Sequence, residues 1–393
     1  MLRASFLIHF RDLPDPRVAR RRVHIFHEVL ILALLAVLCG AEGWEEMYEF
    51  SKVKQTWLKE RLGLQLAAGI PCADTFRRLF ARIDPSAFAV SLRSWTESLR
   101  ERIAGEVISI DGKALCGSFD TALGQPALSI VRAWAGESRL ILGAEPIETS
   151  QGDYEMAALR RLLKLLDVAG AIVTADALHA QKETAAQIIS QGADYVLALK
   201  QNQAALRDDV IALFEYQTAK PARDREWAEA VPGRGIGSHT EIDKEHGRIE
   251  TRSVHLITLA PQDPDWQDQQ SEWSKLRSFI RVDRVRRTLR GGQIVKETKE
   301  TVYYLSSLAT DAQTLGAVIR GHWQAENCMH YVLDVSFGED KCRVRRDHGP
   351  KNLAALRDIA VNLHRRTTKP SGGIKARMKQ AGWSNDYLLQ LLA

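Results

Sequence analysis

The stretch that decides the fold is "GAIVTAD", residues 170–176: an apolar run that ends in the ionisable Asp176. Before it, "YEMAALRRLLKLLDV" (154–168) has the leucine spacing of a helix. After it, "AQKETAAQIISQG" (180–192) is a second helix closed by Gly192, and "ADYVLALKQNQ" (193–203) is apolar again. A short apolar run between two helices reads as a strand covered on both faces in a parallel sheet. Working outward, "EVISID" (106–111) repeats the pattern, an apolar run ending in Asp111. "ALSIVRAWA" and "RLILGAEPIE" follow it as two further strands separated by turn signals. The expected order from residue 105 is β-β-β-α-β-α-β, an α/β fold.

The two aspartates carry the first chemical signal. An ionised carboxylate at the end of a buried strand is expensive to desolvate unless something binds it. If the two strands are parallel neighbours, both ends emerge at one edge of the sheet, where open α/β sheets place ligands. Adjacent strands lie ~4.8 Å apart, so both carboxylates can share a cation. Two hard divalent ions ~3.5–4 Å apart suit phosphodiester chemistry. Taken singly, each Asp reads as easily as a helix cap or loop residue.

A third carboxylate is needed, and Glu326 in "GHWQAENCMHYVLDVSFGEDKCRVRR" (321–346) is the candidate. His322, Glu326 and His330 recur at steps of four, along one helical face. Trp323, Asn327 and the two histidines surround Glu326 with groups able to contact phosphate, base or water. A zinc site made by His322, Glu326 and His330 alone is the competing reading, although the stretch lacks the HExxH arrangement.

Residues 1–100 read as an all-helical domain, and residues 101–393 as an α/β domain interrupted at 204–310 by a mostly β insertion. In the first, "VLILALLAVLCGA" (29–41) is 13 residues long. That is too short to span ~30 Å of hydrocarbon, so it reads as a buried helix. No membrane or export signal is expected, and the chain is placed in the cytoplasm, on the nucleoid when bound to DNA. In "GIPCADTFRRLFARIDPSAF" (69–88) Asp74 is the expected cap, with Phe76, Leu79, Phe80 and Ile83 as the buried stripe. Arg77, Arg78 and Arg82 occupy the other face, as a groove-entering surface or a solvated one. In the insertion, three strands are expected, the last two turning at Gly291-Gly292. Lys275–Arg290 holds seven basic residues and one acid, Asp283. That run, with Arg281, Arg284 and Arg286, fits a nucleic-acid backbone or one solvated face of a sheet.

Composition narrows the class. The chain has 393 residues, net charge +5 and a pI near 8.9. Clustered arginines favour a polyanionic partner over a small acidic substrate. Five widely spaced cysteines without a CxxC pair argue against a disulfide framework and a structural zinc site.

The segments "ISIDGKALCGS", "IVTADALHAQKETA", "GADYVLALKQNQ", "HGRIETR" and "HWQAENCMHYVLDVSFGED" resemble the DDE transposases of bacterial insertion sequences. The resemblance is to the branch with an associated N-terminal domain, which includes the H-repeat-associated proteins. "LPDPRVARRRVHIFHEVLILALLAVLCGAEGW" and "IPCADTFRRLF" also resemble that branch. It implies an RNase H-like core whose acidic triad, Asp111, Asp176 and Glu326, binds Mg²⁺ or, in its place, Mn²⁺. It implies hydrolysis at the ends of an element in double-stranded DNA, then strand transfer, by a homodimer in the DNA complex. Lys113, two residues beyond Asp111, reads as a phosphate contact or as a surface lysine, and Arg343 joins the DNA contacts through the basic run Arg343-Arg345-Arg346. Ile319, His322 and Leu333 stand where the wider superfamily has Tyr, Arg and Lys, and of a branch motif before the first long helix only Glu155 is kept. Two other functions remain open: a non-catalytic DNA-binding protein derived from a transposase, and a metallohydrolase of small substrates.

Overall fold

The computed structural model describes residues 8–119, 124, 126–148, 154–219, 224–245, 247–291, 293–367 and 372–392. The chain opens with helices α1 (Phe26–Leu38), α2 (Trp44–Val53), α3 (Gln55–Leu62), α4 (Ala73–Phe80) and α5 (Pro85–Leu99). Strands β1 (Val107–Leu115), β2 (Leu128–Ala135) and β3 (Leu140–Ile147) follow. Helix α6 (Glu155–Leu165), β4 (Ile172–Ala175), α7 (Lys182–Ser190) and β5 (Asp194–Leu199) complete the expected order. Helices α8 (Ala204–Ala219) and α9 (Asp224–Ala230) lead to β6 (Gly235–Glu245), β7 (Arg248–Thr258), α10 (Gln267–Glu272), β8 (Ser278–Arg290) and β9 (Gln293–Ser306). The chain ends with α11 (Ala312–Ala325), a π-helical segment (Glu326–His330), α12 (Tyr331–Phe337), α13 (Gly349–Arg366), α14 (Ile374–Trp383) and α15 (Asn385–Leu391).

The chain forms two units, with β1 passing from one into the other at Asp111/Gly112. One unit comprises residues 1–102, 112–158 and 324–393, and the other 103–111 and 159–323. The helical N-terminal segment is therefore one body with β2, β3 and the C-terminal helices.

In this first unit the strand order is β3-β2-β1, with β2 and β3 antiparallel. Helix α1 lies in the middle of its core: Val29 to Leu38 are each at most 3% exposed. An apolar helix buried all round accounts for the run of aliphatic residues that its sequence shows. No helix among the described residues is long and apolar enough to cross a membrane. Asp74 sits inside the first turn of α4 and pairs with Arg77 and Arg78, so the expected cap is not formed. The cap that does form is Asp84, which accepts from Ser86 N at the start of α5. Phe76, Leu79, Phe80 and Ile83 are buried as expected.

Beneath α13, Arg132 is fully buried and donates to Asp358 (2.9 Å) and Glu339 (2.7 Å). Burial opposes its charge, and the two carboxylates more than offset that, raising its pKa. Burial raises the pKa of Asp358 despite Arg132. An ionic cluster of this kind locks β2 to α13, because removing one member strands the others.

The second unit holds the order β1-β4-β5-β9-β8-β7-β6. Strands β1, β4 and β5 are parallel, and β9 pairs antiparallel with β5. The β-rich insertion thus extends the core sheet. It has four strands, one more than expected. The missed strand, β6, reads "GIGSHTEIDKE" and buries neither face, so its sequence lacks the apolar alternation that marks a strand. The order β3-β2-β1-β4-β5 is that of an RNase H-like core, and the fold is mixed α/β with a helical N-terminal region.

Burial pushes His364 on α13 down to about 4, although its Nε2 meets the Leu38 carbonyl oxygen at 3.0 Å. Its ordinary value is 6.5, so the unfolded chain binds a proton that the folded chain rejects between those values. The resulting stability is complete above pH 6.5 and is lost as pH falls toward 4, by about 3 kcal/mol. In urea unfolding, wild type should lose stability from pH 7 to pH 4.5 more steeply than His364→Gln. Parallel curves for the two proteins would contradict this.

Candidate active site at the sheet edge

The site grows from the register of two parallel strands. Ser109 pairs with Thr174 and Ile110 with Ala175, so Asp111 and Asp176 each follow the last matched pair. Side chains alternate along a strand, which puts Ser109 and Asp111 on one face, and Thr174 and Asp176 on the same face. The Thr174 hydroxyl donates to Ser109 Oγ at 3.1 Å, joining the two strands on that face.

Helix α11 lies over it. Gly321 rests on Val107, where a Cβ would stand 3.4 Å from Cγ1. This close approach brings His322 Nδ1 to 3.0 Å from Thr174 Oγ1 and Nε2 to 3.6 Å from Asp176 Oδ1. His322 holds the Asp176 carboxyl below the usual carboxylate range, against burial, with smaller help from Lys200 and His179. His322 is therefore a partner of the second aspartate. Lys200 is a residue that sequence reasoning passed over. It directly follows β5, the third parallel strand, and the signal was present in "YVLALK".

The helical stripe is not continuous. From Glu326 to His330 the chain winds as a π-helix, which shifts the register of the side chains. Glu326 and Asn327 are exposed, whereas His330 is 6% exposed. The expected face of three outward groups is not formed, because His330 is buried. Among the described residues, no group of three His, Cys, Asp or Glu side chains is close enough to hold an ion. That holds for the set His322, Glu326 and His330 and equally for the set Asp111, Asp176 and Glu326.

Lys113 lies on the strand face of Asp111 and pairs with Asp334 of α12. Glu155, at the start of α6, rests against Gly112, where a Cβ would overlap its carboxylate. A side chain at residue 112 would have to displace that carboxylate, the far end of a flexible chain.

The insertion strand has the pairing expected of its solvated-face reading. Arg281 pairs with Asp283 (2.8 Å), Arg284 with Glu300, Arg286 with Glu250 (2.9 Å) and Arg287 with Glu297 (2.7 Å). The guanidinium of Arg284 also lies 5.1 Å from the Trp323 ring centroid. The charge excess of β8 is neutralised by carboxylates within the sheet, as on a solvated sheet face. Arg343 belongs to the other unit and is exposed.

Residues 7–96 match the family described as DDE_Tnp_1-associated, and residues 106–363 match the Transposase DDE domain. The Escherichia coli O157:H7 protein named "Putative transposase YncI" is 31% identical, over 99% of this chain and 94% of its own. "H repeat-associated putative transposase YhhI" of Escherichia coli K12 is 30% identical, over 98% of this chain and 97% of its own. A piggyBac transposase in a synaptic complex with hairpin DNA aligns with a TM-score of 0.41 at 11% identity, covering 99% of this chain and 77% of that one.

Gly112→Ala should lower the stability to thermal unfolding only modestly, by about 0.5–1 kcal/mol, because the new methyl displaces the flexible end of Glu155. Adding Glu155→Ala should recover most of the loss. A double variant as unstable as the sum of the two single variants would refute the contact.

Proposed function

The chain belongs to the DDE transposase family, and on that premise we propose that it cuts double-stranded DNA at the ends of an insertion sequence and transfers the strand, with Asp111, Asp176 and Glu326 as its divalent-metal ligands. One observation carries the reading. Two carboxylates follow matched positions on adjacent parallel strands, and His322 of α11, which meets one of them, lies four residues before Glu326 in the chain.

The donors fit the ion. Carboxylate oxygens suit a hard cation such as Mg²⁺ or Mn²⁺. The Asp176 carboxyl, held below the usual range, is ionised at neutral pH. When bound, divalent ions supply activation of the attacking water or 3′-hydroxyl and stabilisation of the leaving oxygen.

The chain's own groups do the rest. Ser109 and Thr174 fix the face from which both aspartates project. His322 orients Asp176, as outer-shell partners of metal ligands do. Lys200, directly after β5, faces an incoming phosphate, and Trp323, 44% exposed, offers a ring to a nucleobase beside Asn327. A homodimer pairs two element ends, and the work is done in the cytoplasm on nucleoid DNA.

The test is Mg²⁺-dependent nicking of DNA that carries the repeats flanking the coding region. Wild type should nick at the repeat ends. Asp176→Asn should bind the same DNA and leave it intact, and so should Glu326→Gln. A chain that binds but never nicks, as wild type, would be a non-catalytic DNA-binding protein. Specific nicking by Asp176→Asn would remove that residue from the ligands.

A separate outcome concerns the histidine. His322→Ala should weaken Mn²⁺ binding about 10-fold or more while the fold is kept. Titration calorimetry that gives the wild-type affinity would show that His322 does not position Asp176.

A further inference from the structure

We propose that the main track for the DNA backbone on this protein is the cleft between α4 and residues 341–346, a surface distinct from the basic strand of the insertion. The inference rests on the reading that the chain acts on DNA, and it names where the phosphates lie.

The argument begins with which cations are already engaged. On β8, each of Arg281, Arg284, Arg286 and Arg287 has a carboxylate partner in the sheet. A phosphate that approaches them must displace that partner. The run "KCRVRR" (341–346) differs: no side chain between Lys341 and Arg346 is acidic. Among the described residues, Lys341, Arg343 and Arg346 have no carboxylate partner. All three are exposed, and they line an open cleft together with Arg77 of α4, which is itself paired with Asp74.

The run is fixed before any ligand arrives. Cys116 N donates to Asp340 Oδ1 at 2.9 Å, just before it. Within it, Arg345 turns back: its Nε donates to Gly117 O at 3.3 Å, and its guanidinium lies 5.2 Å from the Phe119 ring centroid. After it, His348 N donates to Ala81 O at 3.3 Å. Asn352, fully buried, donates to Phe80 O (2.7 Å) and Ile83 O (3.0 Å), tying α13 to the end of α4. Arg345 thus serves as the anchor that leaves Arg343 and Arg346 facing outward. Cations held in this way lose little conformational entropy when they meet a phosphate row.

The cleft is also lined by Glu42, Glu45 and Glu46. Glu45 and Glu46 lie in the first turn of α2, where the helix N-terminus offsets negative charge, and Glu46 accepts from Glu42 N. Phosphates therefore keep to Lys341, Arg343 and Arg346 and away from these carboxylates. The occupant is a duplex read through its backbone, because these residues offer charge without a built pocket for a base.

The experiment measures affinity for a duplex against salt concentration, for wild type and two variants. Each phosphate neutralised contributes about 0.9 to the slope of log affinity against log salt. Lys341→Ala/Arg343→Ala/Arg346→Ala should lower the slope by about 2 to 3, equally for repeat-end and unrelated DNA. Arg284→Ala/Arg286→Ala should change it by less than about 1. All three substituted positions in the first variant are exposed, and circular dichroism checks that both variants fold. An unchanged slope in the first variant, or a larger loss in the second, overturns the proposal while leaving DNA binding by the chain intact. If wild type binds no duplex at all, the reading of function fails and the proposal falls with it.

Discussion

The in-register pairing of β1 with β4 is the constraint on which the rest depends. Ser109 opposite Thr174 and Ile110 opposite Ala175 bring two aspartates to one level and one face. A slip of one residue would send one of them to the other side of the sheet. The register is held by apolar burial, since Val107, Ile108, Ile110, Val173 and Ala175 are each at most 6% exposed. It is also held by the Thr174–Ser109 hydrogen bond. Two carboxylates placed so near one another repel unless something positive lies between or beside them. His322 Nε2 lies 3.6 Å from one of them, Asp176, and the proposed divalent ion would supply the positive charge.

Around this pair the chain has placed glycine where other segments must come close. Gly321 lets α11 settle on Val107 and so delivers His322 to Thr174 and Asp176. Gly112 makes room for Glu155 directly after Asp111. Both glycines act through the volume they leave free. Electrostatics divide along similar lines. The arginines of β8 are spent on the sheet itself, whereas those of 341–346 are left to solvent by the turning back of Arg345.

Much of this could be read from the sequence because it depends on short-range pattern. Apolar runs that end in Asp111 and Asp176 gave the parallel strands, and helical spacing gave α1, α4 and α13. What escaped was long-range. Arg284 meets Glu300, and Arg286 meets Glu250 thirty-six residues away, through cross-strand registers that no local window contains. The π-helical turn that hides His330 has no mark in "ENCMH" that separates it from α-helix. The Arg132 cluster joins residues more than two hundred positions apart. Strand β6 escaped because both its faces meet water.

The central claim, that Asp111, Asp176 and Glu326 serve one metal site, is open to a direct measurement. Fe²⁺ replaces Mg²⁺ at oxygen-ligand sites, and ascorbate with peroxide then cuts the polypeptide beside the bound iron. Mapping the fragments by mass spectrometry should give cuts at three separated places, near residues 111, 176 and 326, all suppressed by excess Mg²⁺. Cuts near 111 and 176 alone, with the segment around Glu326 untouched, would contradict the account.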